Sequence, residues 1–147
     1  PVQATSARID FYVLKKTGLV DRMLFACRLS EKAYGLSKQV YAHTSSDEQA
    51  DKLDQMLWTF RDGSFIPHER FNTKHQPRAP VSIGTPEIYA DNGELLINLC
   101  DVVPTFAAGY SRIAEIVLAD DKGRKAGRNR FRQYRELGLE PETHSIE

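Results

Sequence analysis

Two cysteines in 147 residues, Cys27 and Cys100, stand alone with no CxxC and no regular spacing. That excludes a disulfide framework and a cysteine-built metal site, and both read as reduced, buried packing residues of a cytoplasmic protein. No apolar run approaches the roughly 20 residues that cross a bilayer, no secretory-signal pattern opens the chain, and Pro1 reads as a processed or trimmed terminus. Net charge is also missing, since 20 Lys+Arg balance 20 Asp+Glu; a domain that coats nucleic acid is usually basic. The motifs of catalysis are absent too. The segment Lys15-Lys16-Thr17-Gly18, where an α/β protein would keep its phosphate loop, has neither GxGxxG nor the Walker pattern. No serine sits in a GxSxG elbow. His43, His68, His75 and His144 show neither HExxH nor close Cys/His spacing, and read as surface or loop side chains. Asp101 follows an apolar strand, where α/β enzymes often place a carboxylate, but a lone Asp there reads as a helix or turn cap. No enzyme, cofactor or metal is expected.

What is present is an ordinary globular composition, 41% hydrophobic and 27% charged, enough for one good core. Residues 8–14 (RIDFYVL) are rich in β-branched and aromatic side chains and predict a first strand. A helix over residues 21–36 follows, with Met23, Leu24, Cys27 and Tyr34 on one face. Residues 39–43 (QVYAH) predict a second strand. Ser45 and Ser46 precede Glu48 and Gln49 at capping-box spacing, opening a helix that runs to about residue 60. A polar loop over 61–80 leads to a strand at 81–84. Residues 95–99 (LLINL) read as a strand buried on both faces; Asn92-Gly93 before it could close a hairpin, making one pair antiparallel. A fifth strand at 113–118 and a closing helix at 121–137, stopped by Gly138, complete the pattern. The fold class is therefore α/β: one three-layer, Rossmann-like domain over residues 1–147, with a largely parallel, about five-stranded sheet and a loose tail at 139–147.

Two surfaces depart from this plain scheme. Lys122, Arg124, Lys125, Arg128, Arg130, Arg132 and Arg135 fall in one acid-free stretch, leaving 13 basic residues for the rest of the chain against all 20 acids. Positive charge segregated onto one helix is an anion-docking surface. At about 100° per residue, Arg124, Arg128, Phe131, Arg132 and Arg135 share one face. Ala126, Arg130, Tyr134 and Leu137 fall on the other, with Arg130 snorkelling or paired. An aromatic ring among guanidinium groups suits a ligand combining an apolar group with a carboxylate. It suits single-stranded nucleic acid as well, by stacking and phosphate contact. On the second helix, Ala50, Leu53, Met56, Leu57 and Phe60 form the core stripe, and Trp58 lies roughly 135° from its centre. Trp58 either packs under the following loop or, with Phe65 and Ile66, forms an exposed protein-docking patch.

In these segments the chain resembles the chi subunit family of bacterial DNA polymerase III holoenzyme. The matching stretches are IDFYVL, DKLDQMLWTF followed by SFIPH, LLINL, and AEIV leading into RNRFRQYRELG, in that order. The resemblance implies a non-catalytic replication accessory subunit. It would bind the psi subunit of the clamp loader and the acidic, Pro-Phe-ending C-terminal tail of single-stranded-DNA-binding protein, with only indirect DNA contact and no membrane association. The family's tail-binding positions fall on Val117, Arg128, Phe131 and Arg132, with Arg124 and Arg135 on the same helix face. Phe131 and Arg132 replace the Tyr and Lys of the enterobacterial pattern, losing a hydroxyl while keeping ring and charge. The psi-binding positions fall on Trp58 and Phe65, with Ile66 and Pro67 adjacent, and a helicase is a further candidate occupant of that patch. The alternatives are a single-stranded nucleic-acid-binding module using the basic helix and, third, a nucleotide-dependent enzyme.

Overall fold

The apolar segments assemble into one seven-stranded sheet in the computed structural model, which describes residues 7–74 and 77–147. In chain order the elements are β1 (Arg8–Val13), α1 (Leu19–Gly35), β2 (Val40–His43), α2 (Asp47–Thr59), β3 (His68–Arg70), β4 (Val81–Gly84), β5 (Gly93–Asn98), β6 (Tyr110–Val117), α3 (Asp121–Glu136) and β7 (Glu142–Ser145). The spatial order is β3-β4-β2-β5-β6-β1-β7, and each of these pairings is parallel.

A parallel sheet must be covered on both faces. Side chains alternate along each strand and sort accordingly. Ile9 and Phe11 of β1, with Ile113 and Val117 of β6, pack with Tyr134 beneath α3. Leu14, Ala114, Ile116 and Leu118 point the other way and meet Met23, Ala26 and Cys27 of α1 and Ala50, Leu53 and Leu57 of α2. Two helices on one face and one on the other give the expected three-layer, Rossmann-like α/β architecture. The cap of α2 forms as its sequence indicates. Ser46 Oγ accepts from the Gln49 N–H (3.1 Å), and Gln49 Oε1 accepts from the Ser45 N–H (2.8 Å).

Several expectations need correction. The sheet has seven strands instead of about five, because two short polar ones lay inside segments read as irregular. β3 falls in the expected loop over 61–80 and pairs with β4. β7 falls in the expected loose tail at 139–147 and pairs with β1 from Asp10↔Glu142 to Val13↔Ser145. Polar sequence conceals both because they are edge strands, which need no apolar alternation. Asn92-Gly93 closes no hairpin; Gly93 instead opens β5, which runs parallel to β2 and β6. His43 is a core residue of β2, 4% exposed. His68 lies in β3 with its side chain buried, and His144 lies in β7. His75 is outside the described residues. Cys27 and Cys100 are free and buried, and burial pushes their thiols up to about 12 and about 11. Among the described residues no helix is long and apolar enough to cross a membrane.

Candidate functional site

The basic segment becomes α3, and its orientation is set from inside the protein. Asp120 caps it, its carboxylate accepting from the Gly123 N–H at 3.2 Å. One turn on, Gly127 meets the sheet: a Cβ there would lie 2.9 Å from both Val117 methyls. Arg130 then enters the interior, only 2% exposed, and its Nε donates to Glu115 Oε1 at 2.7 Å. The other oxygen of this fully buried carboxylate accepts from Tyr134 Oη (2.7 Å) and Asn98 Nδ2 (2.9 Å). Asn98 Oδ1 accepts from the Cys100 N–H in turn. Helix α3 is thereby fixed to β5 and β6 by an ion pair with its lone pairs satisfied, the condition under which a buried pair is tolerated. Burial and the neighbouring Glu115 charge both push the Tyr134 hydroxyl upward, so it stays a donor.

The outer face of α3 carries the cations. Arg124, Arg128 and Arg135 are exposed and, among the described residues, have no ion-pair or hydrogen-bond partner through their side chains. Arg132 is also exposed, and among the described residues its one side-chain hydrogen bond is to Asn129 Oδ1, at 3.4 Å. Phe131 sits at the margin of this face, half-buried, its ring 5.2 Å from that of Phe11 and tilted by 56°. That contact contributes about 0.5–1.5 kcal/mol beyond the area it buries and holds the ring still beside the guanidinium groups. Two expectations change here. Phe131 is the edge of the core, not a bare ring amid charge, and Val117 (6% exposed) lies beneath Gly127, where it supports α3 without offering a surface. Leu137, expected to pack, is exposed because α3 ends at Glu136 and the chain turns through Gly138 at φ +85°.

The second surface forms at the C-terminal end of α2. Trp58 is 56% exposed and Phe65 78%. The Trp58 ring lies 4.4 Å from that of His68, which is anchored by contacts to the Ile66 and Asp54 carbonyl oxygens at 2.7 and 3.1 Å. Pro67 is exposed beside it. Ile66 is not: at 2% exposure it belongs to the α1/α2 core, which leaves Trp58, Phe65 and Pro67 as the exposed residues of the expected patch.

Two other clusters bring together groups that could hold ligands, and their buried charged side chains are already engaged by the protein itself. A cleft of about 400 Å³ opens at the carboxyl ends of the strands, where open α/β sheets usually bind ligands. Its buried Arg22 donates to the carbonyls of Ile116, Leu99 and Cys100 at 3.0–3.3 Å. Burial, then the nearby Arg130, hold that guanidinium below its usual range. Asp101, at the rim, lies 3.8 Å from Arg22 and caps no helix. Asp10, Glu142 and His144 bring ligand atoms within 4.8 Å of one another. The Asp10 carboxylate, however, already holds Arg8, Arg112 and His144, contacts that leave a cation little reason to enter. Burial alone would raise that carboxyl; the His144 hydrogen bond and the Arg112 and Arg8 charges outweigh it and keep it low.

Glu115, Asn98, Arg22 and Gly127 escape a search for surface motifs. Glu115 carried one signal, a single charge inside the apolar run IAEIVL, which demands a buried partner.

Comparison with known proteins gives three findings. Residues 7–142 match the family described as DNA polymerase III chi subunit, HolC. The DNA polymerase III subunit chi of Pseudomonas aeruginosa is 40% identical over 139 residues, covering 95% of this chain and 96% of that one. Its counterpart from Escherichia coli K12 is 26% identical over 138 residues, covering 90% and 94%. Among solved structures, the C-terminal domain of the DEAD-box protein Dbp5 superposes with a TM-score of 0.61 at 13% identity, covering 94% of this chain and 91% of that one. S. cerevisiae Dbp5 bound to RNA and ADP BeF3 matches with the same score, but this chain spans only 42% of it. At such low identity these two likenesses concern the fold alone. With a family match over most of its length and a 40%-identical relative, the chain belongs to the DNA polymerase III chi subunit family, the non-catalytic accessory subunits of the replicative polymerase.

Proposed function

We propose that this chi subunit is an adaptor in the cytoplasm. It would hold the acidic C-terminal tail of single-stranded-DNA-binding protein on α3 and the psi subunit of the clamp loader on the Trp58 patch. The observation that carries the tail site is a row of exposed arginines, without ion-pair partners among the described residues, beside a ring fixed by Phe11. Arg128 takes the terminal carboxylate or the acids preceding it through charge-assisted hydrogen bonds. Phe131 provides the wall for the terminal Phe ring, with Val117 behind it. Arg132, Arg124 and Arg135 add attraction along the tail. Contact with DNA is indirect. Because these charges sit on an exposed face, the interaction weakens with salt.

The Trp58 patch supports the second half of the reading. An exposed Trp on a helix whose Ala50, Leu53 and Leu57 stripe is buried in the core, with an exposed Phe in the loop that follows, has the composition of a binding hot spot. A helicase would compete for the same residues.

Titration with a peptide ending in the acidic Pro-Phe tail, beside the same peptide lacking the final Phe and a single-stranded oligonucleotide, tests the tail site. Binding that needs the terminal Phe and no binding of oligonucleotide is expected. Oligonucleotide binding in place of peptide would make α3 a phosphate reader.

A further inference from the structure

The face of the sheet opposite α3 carries an open groove that neither docking surface uses. It has a volume of about 620 Å³ and runs beneath the C-terminal half of α1. Its floor is apolar: Tyr12 of β1, Phe25 and Leu29 of α1, Leu95 of β5, Ala114 of β6 and Ile146 after β7. All but Ala114 remain half-exposed. These strands contribute their α1-side residues here, so the groove is where α1 fails to cover the sheet.

Its rim is positive. Arg28, Lys32, Lys38 and Arg112 line it, with Glu94 the only acid among the lining residues. Arg112 is committed to Asp10 at 3.1 Å, and Glu94 accepts from the Gln39 N–H at 2.8 Å. Arg28, Lys32 and Lys38 are exposed and, among the described residues, have no side-chain partner. Three free cations around an apolar floor call for carboxylates and bulky apolar groups on one ligand.

The spacing narrows the choice. Arg28 and Lys32 stand one helical turn apart, about 6 Å along α1. Alternate residues of an extended chain are separated by nearly the same distance, roughly 6.5 Å, and the residues between them face the other way. An extended segment can therefore set acids against Arg28 and Lys32 while its intervening side chains enter the floor. Nucleic acid fits less well, because bases need open, flat platforms. Tyr12 is stacked by His144 (5.3 Å, 25°), and Phe25 is tilted 50° against Tyr12.

We infer that this groove is a third docking site, for an extended peptide segment of a partner protein in which acidic and bulky apolar residues alternate. The test uses the full chain and a short fluorescein-labelled peptide alternating Glu with Leu and Phe, flanked by Gly-Ser. Its counterpart with Lys for Glu and a single-stranded oligonucleotide run alongside. The acidic peptide should bind and shift the methyl resonances of Leu29, Leu95 and Ile146 while leaving Val117 unmoved. Arg28→Glu with Lys32→Glu, both exposed, should weaken binding about tenfold or more, since two attractions become repulsions; Arg128→Glu should not. The inference is overturned by failure of the acidic peptide to bind wild-type protein, or by equal binding of the Lys peptide. Displacement by oligonucleotide, or a loss caused by Arg128→Glu and not by the α1 pair, also overturns it.

Discussion

Glu115→Gln should destabilise the protein severely although it changes almost no volume. The wild-type carboxylate is fully buried and accepts three hydrogen bonds, from Arg130 Nε, Tyr134 Oη and Asn98 Nδ2, at 2.7, 2.7 and 2.9 Å. An amide of the same shape offers one oxygen, and its NH₂ faces groups that themselves donate. Arg130, 2% exposed, is left as a buried charge without its counter-ion. Breaking one partner of such a pair costs about 3–5 kcal/mol. That is a large share of the roughly 5–15 kcal/mol by which domains are stable. For a chain of this size the loss lowers Tm by roughly 6–20 °C. Urea and thermal unfolding followed by circular dichroism measure it. Adding Arg130→Met to the same background removes the orphaned cation and should recover part of the loss. A cost below about 1 kcal/mol for Glu115→Gln, or further loss on adding Arg130→Met, would refute the claim that this pair anchors α3.

Four more outcomes are expected. Arg128→Ala weakens tail-peptide binding by about 1.5–3 kcal/mol, read by fluorescence anisotropy, with unfolding unchanged because the side chain is exposed and unpaired. Trp58→Ala or Phe65→Ala impairs binding of psi in a pull-down and leaves tail affinity intact; loss of both partners together would mean misfolding. Gly127→Val destabilises by about 1–3 kcal/mol in urea despite a helix-interior Gly being intrinsically unfavourable, because its Cβ would press 2.9 Å from the Val117 methyls. Burial lowers His43 to about 4. The unfolded chain therefore takes up a proton near pH 6.5 that the folded chain refuses. Stability is full above that pH and falls by up to about 3 kcal/mol as pH drops toward about 4, and His43→Gln flattens the slope. The Asp10 contribution, from a carboxyl held low, is lost only below that window.

The periodicity that makes strands and helices also made the fold legible. LLINL and IAEIV are apolar on both faces because parallel strands are covered twice, and the α2 stripe at Ala50, Leu53 and Leu57 is buried as spaced. β3 and β7 were illegible since HER and ETHS hold their places by backbone pairing and by His144–Asp10, not by apolar side chains. The two patches stood out as violations of pattern: charge gathered on one helix, and a Trp off its stripe. Ile66 is a loop residue, with no period to tell core from surface, and helical angle alone leaves Phe131 too exposed because the Phe11 ring beneath it comes from a strand 120 residues earlier. Glu115 and Arg130 were each visible as oddities; only the register of β6 beneath α3 makes them partners.

On the proposed function, one chain holds two partners at once through separate surfaces. Mixing the wild-type chain with psi and the tail peptide and measuring the assembly by analytical ultracentrifugation tests it directly. A ternary complex should form, from which Arg128→Ala removes only the tail and Trp58→Ala removes only psi. Mutual exclusion of psi and tail, or loss of both from either single variant, would mean that the two surfaces are not independent docking sites.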